Sequence, residues 1–169
     1  MCAGIAASPG AATGKIVFTS AEAQSLALQD IPTILVKLET GPEDIRGMHF
    51  TKGVLTERGG MTSHAAVTAR GLGLPCIVGA NSLKIDSKNK KIKISDGRVF
   101  NELDFITIDG ASGKVISGEM ELVEPAFDEG LKDFLNWSEE ISVLDVRANA
   151  DTPTDAKLAR KFGAKGIGL

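Results

Sequence analysis

A junction between a short strand and a helix, near the middle of the chain, restricts the fold more than any other feature. Residues 53–57 (GVLTE) are mostly apolar and predict a strand. Gly59 and Gly60 follow, and glycine allows a loop with positive φ or close backbone contact. Residues 64–70 (HAAVTAR) then supply good helix formers. The junction therefore predicts a strand that delivers the chain through a glycine loop into a short helix.

His64, one of only two histidines in the chain, stands at the start of this predicted helix. Thr62 and Ser63 precede it, and both are preferred N-cap residues. The free N–H groups and the partial positive charge of a helix start favour a neutral, nucleophilic imidazole and suit a bound phosphate. We interpret His64 as a side chain that can accept a phosphoryl group. The alternative is a purely structural histidine.

Two arginines, Arg58 and Arg70, flank the loop and the helix. Either could contact a phosphoryl group, because the guanidinium fork matches phosphate oxygens. The alternative for Arg58 is a surface ion pair, for example with Glu57. Arg70 lies two helical turns beyond His64, roughly 9 Å of helical rise, so its side chain must point back to take part.

Composition excludes several classes of function. The net charge of −3 over 169 residues gives no argument for nucleic-acid binding, and the basic run at residues 88–93 (KNKKIK) fits the solvated face of a hairpin. No apolar run is long enough to cross a membrane. Cys2 and Cys76 make a poor disulfide framework, and the two histidines and two cysteines lack metal-ligand spacing. We therefore expect a cytoplasmic protein.

The segments before the junction predict alternating strands and helices, and those after it predict hairpins. His49 falls at the end of the second predicted helix, where a histidine suits the helix dipole and needs no further function.

A phosphate-binding loop is excluded near Gly14, because Ile16 replaces the required hydroxyl residue. The predictions are a loop at 4–14, strands at 15–19, 32–38 and 77–79, helices at 20–29 (with Ser20 as N-cap) and 41–49, and one antiparallel meander at 83–85, 91–95, 98–100, 105–109 and 114–117.

The last part of the chain predicts a helix followed by a βαβ unit. Apolar residues at helical spacing predict a helix over 127–140. A strand is expected over 141–147, which places Arg147 at its C-terminal end. A helix capped by Thr152 and a second strand over 165–169 complete the unit. Since the unit lacks further strands, we expect the chain to be part of a longer protein.

The run GGMTSHAAVTAR at residues 59–70 resembles the phosphohistidine signature of the enzymes that exchange phosphoryl groups with phosphoenolpyruvate (PEP). This PEP-utilising family includes pyruvate phosphate dikinase, PEP synthase and enzyme I of the sugar phosphotransferase system. Three further segments resemble the start and end of its phosphohistidine domain and the start of its PEP-binding barrel: SPGAATGK at 8–15, DGASGKVISG at 109–118 and LDVRANADTPTDAKLARKFGAKGIGL at 144–169. The last segment, together with ETGPEDIRGMH at 39–49, favours the dikinase branch.

The resemblance implies an α/β architecture in three parts. These are a swivelling β/β/α phosphohistidine domain at 1–120, a linker helix at 121–140, and the first βαβ piece of a truncated (β/α)8 barrel at 141–169. It implies that His64 carries the phosphoryl group and that Arg147 contacts substrate phosphate in the barrel. The supporting residues that it implies around the phosphoryl group are Gly59, Gly60, Thr62, Ser63, Arg58 and Arg70. Thr62 matches a regulatory phosphorylation site of plant dikinases.

The resemblance also implies a reaction and partners. A nucleotide-grasp domain would phosphorylate His64 from ATP and phosphate, and the barrel would pass the group to pyruvate, giving PEP. Residues 119–127 are a candidate hinge. The full-length enzyme is expected to use magnesium and to be a homodimer. We expect no magnesium bound to this chain, and the chain alone should not catalyse the overall reaction. The alternatives are the same domain of PEP synthase or enzyme I, and a non-catalytic interaction module that docks a partner through residues 127–140.

Overall fold

The computed structural model describes residues 1–123, 129–150 and 152–168. They divide into two compact units, residues 1–123 and 124–169. Within the described residues, no helix is both long and apolar enough to cross a membrane. The strands are β1 Cys2–Ala3, β2 Ile5–Ser8, β3 Ala11–Val17, β4 Thr33–Lys37, β5 Gly53–Thr56, β6 Cys76–Val78, β7 Leu83–Asp86, β8 Lys91–Ile94, β9 Val99–Asn101, β10 Phe105–Asp109, β11 Lys114–Ser117, β12 Arg147–Asn149 and β13 Gly166–Gly168. The helices are α1 Ser20–Ala27, α2 Ile45–Met48, α3 His64–Leu72, α4 Glu129–Ile141 and α5 Pro153–Lys161, with a 3-10 turn at Pro42–Asp44 before α2.

The first unit is built on an eight-stranded sheet in the order β1-β11-β10-β3-β4-β5-β6-β2. Its four central strands, β3 to β6, are parallel, and antiparallel strands continue the sheet on both sides. All five residues of β4 except Lys37 are buried, as expected for a parallel strand covered on both faces. The mixed α/β fold expected from the sequence is confirmed.

The two faces of this sheet are covered by different layers. One face packs against a three-stranded antiparallel sheet, β7-β8-β9, through buried residues such as Ile16 and Ile34 on the large sheet and Ile92 and Ile94 on the small one. The other face carries α1, α2 and α3. The buried side chains of this second layer are Ala23, Met48, Ala65, Ala66 and Ala69, packed against Val17, Leu35 and Val54.

The hairpin region does not form one continuous meander, so that prediction was wrong. β7, β8 and β9 pair only with one another, whereas β10 and β11 belong to the large sheet. In β8 the exposed Lys91 and Lys93 alternate with buried isoleucines, which is the pattern of a sheet with one solvent-exposed face. In β10 the consecutive residues Ile106, Thr107 and Ile108 are all buried, the pattern of a strand covered on both faces.

Residues 4–14 were predicted as a loop, but they form β2 and the start of β3. Their small side chains permit close backbone packing in the sheet. A Cβ added to Gly14 would lie 2.8 Å from the backbone carbon of Thr33 on the neighbouring strand. Gly10 has φ +108° in the bend between β2 and β3, whereas the other small residues here reflect close contact between strands.

The N-cap of α1 is Thr19, whereas the sequence predicted Ser20. The Thr19 hydroxyl accepts a hydrogen bond from the backbone N–H of Glu22 at 3.2 Å, and the Glu22 carboxylate accepts one from the backbone N–H of Thr19 at 3.0 Å. This reciprocal capping box requires a glutamate three residues after the cap, which only Thr19 has.

The second unit contains two parallel strands, β12 and β13, joined through α5. Thr152 caps α5 as predicted, its hydroxyl accepting from the backbone N–H of Asp155 at 3.2 Å. The prediction of a strand over 141–147 was wrong, because α4 continues to Ile141 and β12 begins only at Arg147. Arg147 therefore starts its strand, and the prediction that it lies at the C-terminal end is wrong. Residues 127 and 128 of the predicted helix lie outside the described residues.

Val143 shows why the β-branched composition of that segment misled the prediction. It is 97% exposed, and no strand pairs with it within the described residues. β-propensity expresses how well a side chain packs on a half-buried sheet, so it does not form a strand where that surface is missing.

Candidate functional site

The candidate site lies where the loop after β5 enters α3. His64 is the first residue of the helix and is exposed. Ser63 is the N-cap: its hydroxyl accepts from the backbone N–H of Ala66 at 3.4 Å, and its own N–H donates to the carbonyl of Gly60 at 2.9 Å. The opposite face of the helix is buried through three alanines, which leaves the imidazole facing outward. The predicted junction, with the histidine in the first helical turn, is confirmed.

Two glycines close the loop against the sheet. Gly59 has φ +111°, and a Cβ there would lie 3.1 Å from the side chain of Ser63. Gly79, which follows β6, has φ +63°, and its Cβ would lie 2.7 Å from the carbonyl oxygen of Gly59. Gly60 has open space around it. Sequence reasoning missed Gly79, although a glycine directly after an apolar strand is the signal that marks such close contact.

Thr62 is exposed, and no hydrogen bond of its side chain occurs among the described residues. It therefore does not serve as the cap, although its residue type suits that role. The backbone N–H groups of His64 and Ala65 have no acceptor in the described part of the protein. The positive end of α3 thus presents two amide donors beside an exposed, nucleophilic ring, which is an arrangement suited to an anionic group.

Arg58 follows β5 by two residues and is exposed. Its backbone is fixed at both ends: its N–H donates to the carbonyl of Leu38 at 2.9 Å, and its carbonyl accepts from the Thr56 hydroxyl at 2.6 Å. No hydrogen bond or salt bridge of its guanidinium occurs among the described residues.

Glu57 is not the ion-pair partner of Arg58 that the sequence offered as an alternative. It is 5% exposed and accepts from the Lys84 ammonium and from the backbone N–H of Ile85, each at 2.9 Å. Burial raises the pKa of Glu57, but the Ile85 N–H and the Lys84 ammonium lower it more, so the pKa lies below its usual range. These bonds attach β5 to the small sheet directly before the loop.

Arg70 points back toward the loop, as its position requires. One guanidinium nitrogen, Nη2, donates to the carbonyl of Met61 at 2.8 Å, and the other, Nη1, donates to the carbonyl of Ala7 at 3.0 Å. Ala7 is buried in β2, the last strand of the large sheet. The arginine therefore joins the segment before His64 to the edge of the sheet.

The other candidate residues are not part of this loop. His49 follows α2 as its C-cap and is exposed. Cys76 lies beneath α3, with its sulfur 3.9 Å from the carbonyl of Ala65, and burial raises its pKa to about 12. Cys2 and Cys76 are both free thiols. Arg147 belongs to the second unit, where it is exposed.

A metal site is not found in the part of the chain that the structure describes. No group of three or more histidine, cysteine, aspartate or glutamate side chains there is arranged to hold a metal ion. The chemistry available at the loop is therefore that of an imidazole, hydroxyls, amides and arginines.

Comparison with known families identifies this region. A model of the "PEP-utilising enzyme, mobile domain" family matches residues 30–113, which include the whole loop and α3. Among curated proteins, the chain is 55% identical to a pyruvate, phosphate dikinase of Rickettsia prowazekii over 98% of its own length. It is 49% identical to pyruvate, phosphate dikinase 1, chloroplastic, of Arabidopsis thaliana and to a pyruvate, phosphate dikinase of Giardia intestinalis, again over 98% of its length.

The chain spans about a fifth of the length of these relatives: 19% of the Rickettsia protein and 17% of the Arabidopsis protein. Among solved structures, a solution structure of an Enzyme I protein matches 64% of this chain and 36% of its own, with 23% identity and a TM-score of 0.38. A structural similarity at that level does not identify the family, which is identified by the sequence relatives and the family model.

Proposed function

Because the chain belongs to the PEP-utilising enzyme family through its mobile domain, we propose that it is the phosphoryl carrier of a pyruvate phosphate dikinase. The observation that carries the proposal is the exposed His64 at the start of α3. The loop before it is held to the large sheet by the Arg58 N–H, which donates to the carbonyl of Leu38, and by Arg70, which donates to the carbonyls of Met61 and Ala7. A carrier needs an accessible nucleophile on a rigid support, because two different sites must each close on it.

The reaction proceeds in two stages. In the first, both anhydride bonds of ATP break: the β-phosphoryl group becomes bonded to a ring nitrogen of His64, the γ-phosphoryl group goes to phosphate to form diphosphate, and AMP leaves. In the second, a base in the barrel takes a methyl proton from pyruvate, which gives the enolate. The enolate oxygen attacks the phosphorus, the P–N bond breaks, and PEP and free His64 are formed. The overall reaction is ATP, phosphate and pyruvate giving AMP, diphosphate and PEP, and it runs in either direction.

The residues around His64 have distinct tasks in this scheme. The amides at the start of α3 favour the negative charge of the phosphoryl group, and Gly60, with open space around it, leaves room for a donor or acceptor to approach. Arg58, with a fixed backbone and an exposed guanidinium, is placed to meet phosphate oxygens as a second site closes. Thr62 is exposed two residues before His64, so a phosphoryl group on its hydroxyl would add negative charge beside the incoming one.

The second unit belongs, in this proposal, to the PEP- and pyruvate-binding barrel. β12, α5 and β13 supply its first βαβ piece, and α4 is the linker helix between the barrel and the carrier domain. Arg147 contacts substrate phosphate in the complete barrel. The nucleotide-grasp domain, the rest of the barrel and a second copy of the full-length protein are the expected partners, and the cytoplasm is the expected compartment.

Magnesium has no place on this chain in the proposal. The described residues offer no cluster that fits a metal ion, so no ligand is assigned and no step depends on one here. A metal in the full-length enzyme would accompany the phosphate-bearing substrates in the other domains, where it neutralises charge.

The test is phosphorylation of His64. The chain is mixed with a separately expressed nucleotide-grasp domain of a relative, ATP, magnesium and phosphate, and its intact mass is measured. We expect an adduct of one phosphoryl group that is labile in acid and stable in base. The adduct must disappear in His64→Ala and persist in His49→Ala, the matched change at the other histidine. The chain alone should produce no PEP from ATP, phosphate and pyruvate.

Two results would overturn the proposal. A phosphoryl adduct that survives His64→Ala would assign the chemistry to another residue. A folded wild-type chain that stays unmodified beside a donor domain that phosphorylates its own relative would favour a non-catalytic interaction module.

A further inference from the structure

We infer that Arg70 is a positioning residue, which holds the segment before His64 in place and does not bind the phosphoryl group. The inference deepens the proposed function, because it assigns a role at the same site. It starts from the two acceptors of the guanidinium, the backbone carbonyls of Met61 and Ala7, at 2.8 and 3.0 Å.

The segment of residues 61–63 has few other attachments. The hydrogen bond from the Ser63 N–H to the carbonyl of Gly60 closes the turn, but it joins two parts of the same loop. The side chains of Met61 and Thr62 are exposed and do not anchor the loop in the interior. Arg70 therefore supplies a hydrogen-bonded side-chain bridge from this segment to the sheet.

The second acceptor gives the bridge its rigidity. Ala7 is 3% exposed and lies in β2, which pairs with β6. Arg70 itself is held in the last turn of α3, and that helix is packed on the sheet through buried alanines. The guanidinium thus connects three elements: the helix that carries His64, the loop that precedes it, and the edge of the sheet.

The geometry of the guanidinium favours this role over phosphate binding. Two of the five N–H donors of its planar fork, one on each terminal nitrogen, are directed at these two carbonyls. Turning the fork toward a phosphoryl group on His64 would release the Met61 carbonyl and free the loop at the moment of transfer. Small displacements of a reacting group cost much rate, about 100-fold for 1 Å, so a released loop is a poor support for the carrier.

The decisive variant is Arg70→Lys, which keeps the positive charge but loses the planar fork. Both roles use the fork, so the readouts separate them: loss of a bridge between two carbonyls loosens the unmodified loop, whereas loss of a phosphate contact changes the phosphohistidine itself. Arg46→Lys makes the same chemical change at an exposed arginine of α2 and serves as the control. Circular dichroism and the exchange of buried α3 amides verify that each variant is folded.

Three quantities are measured on each chain: hydrogen exchange at the Ser63 amide without phosphorylation, the rate at which His64 becomes phosphorylated, and the hydrolysis rate and ³¹P chemical shift of the phosphohistidine. For Arg70→Lys we expect Ser63 exchange about tenfold faster, because the loop opens more often. We expect phosphorylation about tenfold slower or more. The hydrolysis rate and the chemical shift should stay unchanged, since Arg70 does not touch the phosphoryl group. Arg46→Lys should leave all three unchanged.

The inference is overturned if Arg70→Lys leaves Ser63 exchange unchanged, or if it alters the ³¹P shift and the lifetime of the phosphohistidine. The two proposals fail separately. If wild-type His64 never becomes phosphorylated, the proposed function fails, whereas the exchange measurement on the unmodified chain still decides whether Arg70 holds the loop.

Discussion

The hydroxyl oxygens of Thr13 and Thr107 lie 2.6 Å apart, at directly opposed positions of the paired strands β3 and β10. The pair also fastens the segment that leaves the large sheet. Thr107 donates to the carbonyl of Gly118 at 3.0 Å and accepts from the N–H of Met120 at 3.2 Å, and Thr13 lies 3.2 Å from the carbonyl of Met120. The chain is thus held to the first unit as far as residue 120.

Thr107→Val should release this exit segment. The substitution keeps the shape of the side chain but removes both the donor to Gly118 and the acceptor for Met120, at a site that is 3% exposed. We expect a loss of about 1–2 kcal/mol in the free energy of unfolding and faster hydrogen exchange at the Met120 amide. Thr13→Val is the matched variant: it leaves the Met120 N–H bonded, so that amide should stay protected. Equal exchange in Thr107→Val and wild type would contradict this role.

Gly79→Ala should displace the loop that carries His64. The position has φ +63°, and the new Cβ would lie 2.7 Å from the carbonyl oxygen of Gly59. Backbone strain and the clash together should destabilise the protein by more than about 1 kcal/mol and alter the amide chemical shifts of residues 59–63. Gly60→Ala provides the control, because its surroundings are open and its φ is not positive. Similar effects of the two substitutions would show that Gly79 has no special contact with the loop.

Glu22 should make the folded state sensitive to acid. Burial raises the pKa of Glu22, but hydrogen bonds from the Lys90 ammonium, the Phe18 N–H and the Thr19 side chain lower it more, from 4.5 to about 2. A pKa that is lower in the folded state stabilises that state above about pH 4.5, and the contribution is lost as the pH falls toward 2.

Glu22→Gln isolates this contribution. At pH 7 the variant should be about 1 kcal/mol less stable, because the charged hydrogen bonds are gone, and the difference should vanish near pH 2. Urea unfolding at a series of pH values measures it. Glu43→Gln, a change of the same charge at an exposed position of the 3-10 turn, should not reproduce that pH dependence. A gap between wild type and Glu22→Gln that is constant over pH would refute the assignment.

The local features of the site could be predicted from the sequence because short-range chemistry determines them. A cap at Thr62 or Ser63 and the histidine in the first turn of α3 both follow from preferences within a few residues, and the structure selects Ser63 as the cap. The contacts of Arg70 could not be predicted from local sequence, because its two acceptors, Met61 and Ala7, lie nine and 63 residues away along the chain. The same holds for Gly79, where a glycine is needed because the carbonyl oxygen of Gly59, in the loop after β5, lies too close for a Cβ.

The fold errors have the same origin. A local pattern cannot say which sheet a strand will join, so β10 and β11 were assigned to the same meander as β7 to β9. The glycines and alanines of residues 4–14 indicated a loop because the close neighbouring strand that requires them is distant in sequence. In the second unit, β-branched residues at 141–146 predicted a strand where no partner strand is available among the described residues.

Trp137 should report unfolding of the second unit alone. It is the only tryptophan, the chain has no tyrosine, and it lies in α4 with 63% of its surface exposed. Among the described residues of that unit, only Ala164 is buried. So little buried apolar surface opposes the loss of chain entropy that this unit should unfold at low urea. Fluorescence anisotropy of Trp137 should therefore fall before the far-ultraviolet circular dichroism of the whole chain.

A reporter moved to the first unit supplies the matched control. In the double variant Trp137→Phe with Phe100→Trp, the tryptophan packs beside the buried core between the two sheets. Its signal should follow the main circular dichroism transition, because that core contains most of the buried apolar side chains. If Trp137 and Trp at position 100 instead report the same midpoint, the two units unfold together, and the second unit derives its stability from more than its own few buried contacts.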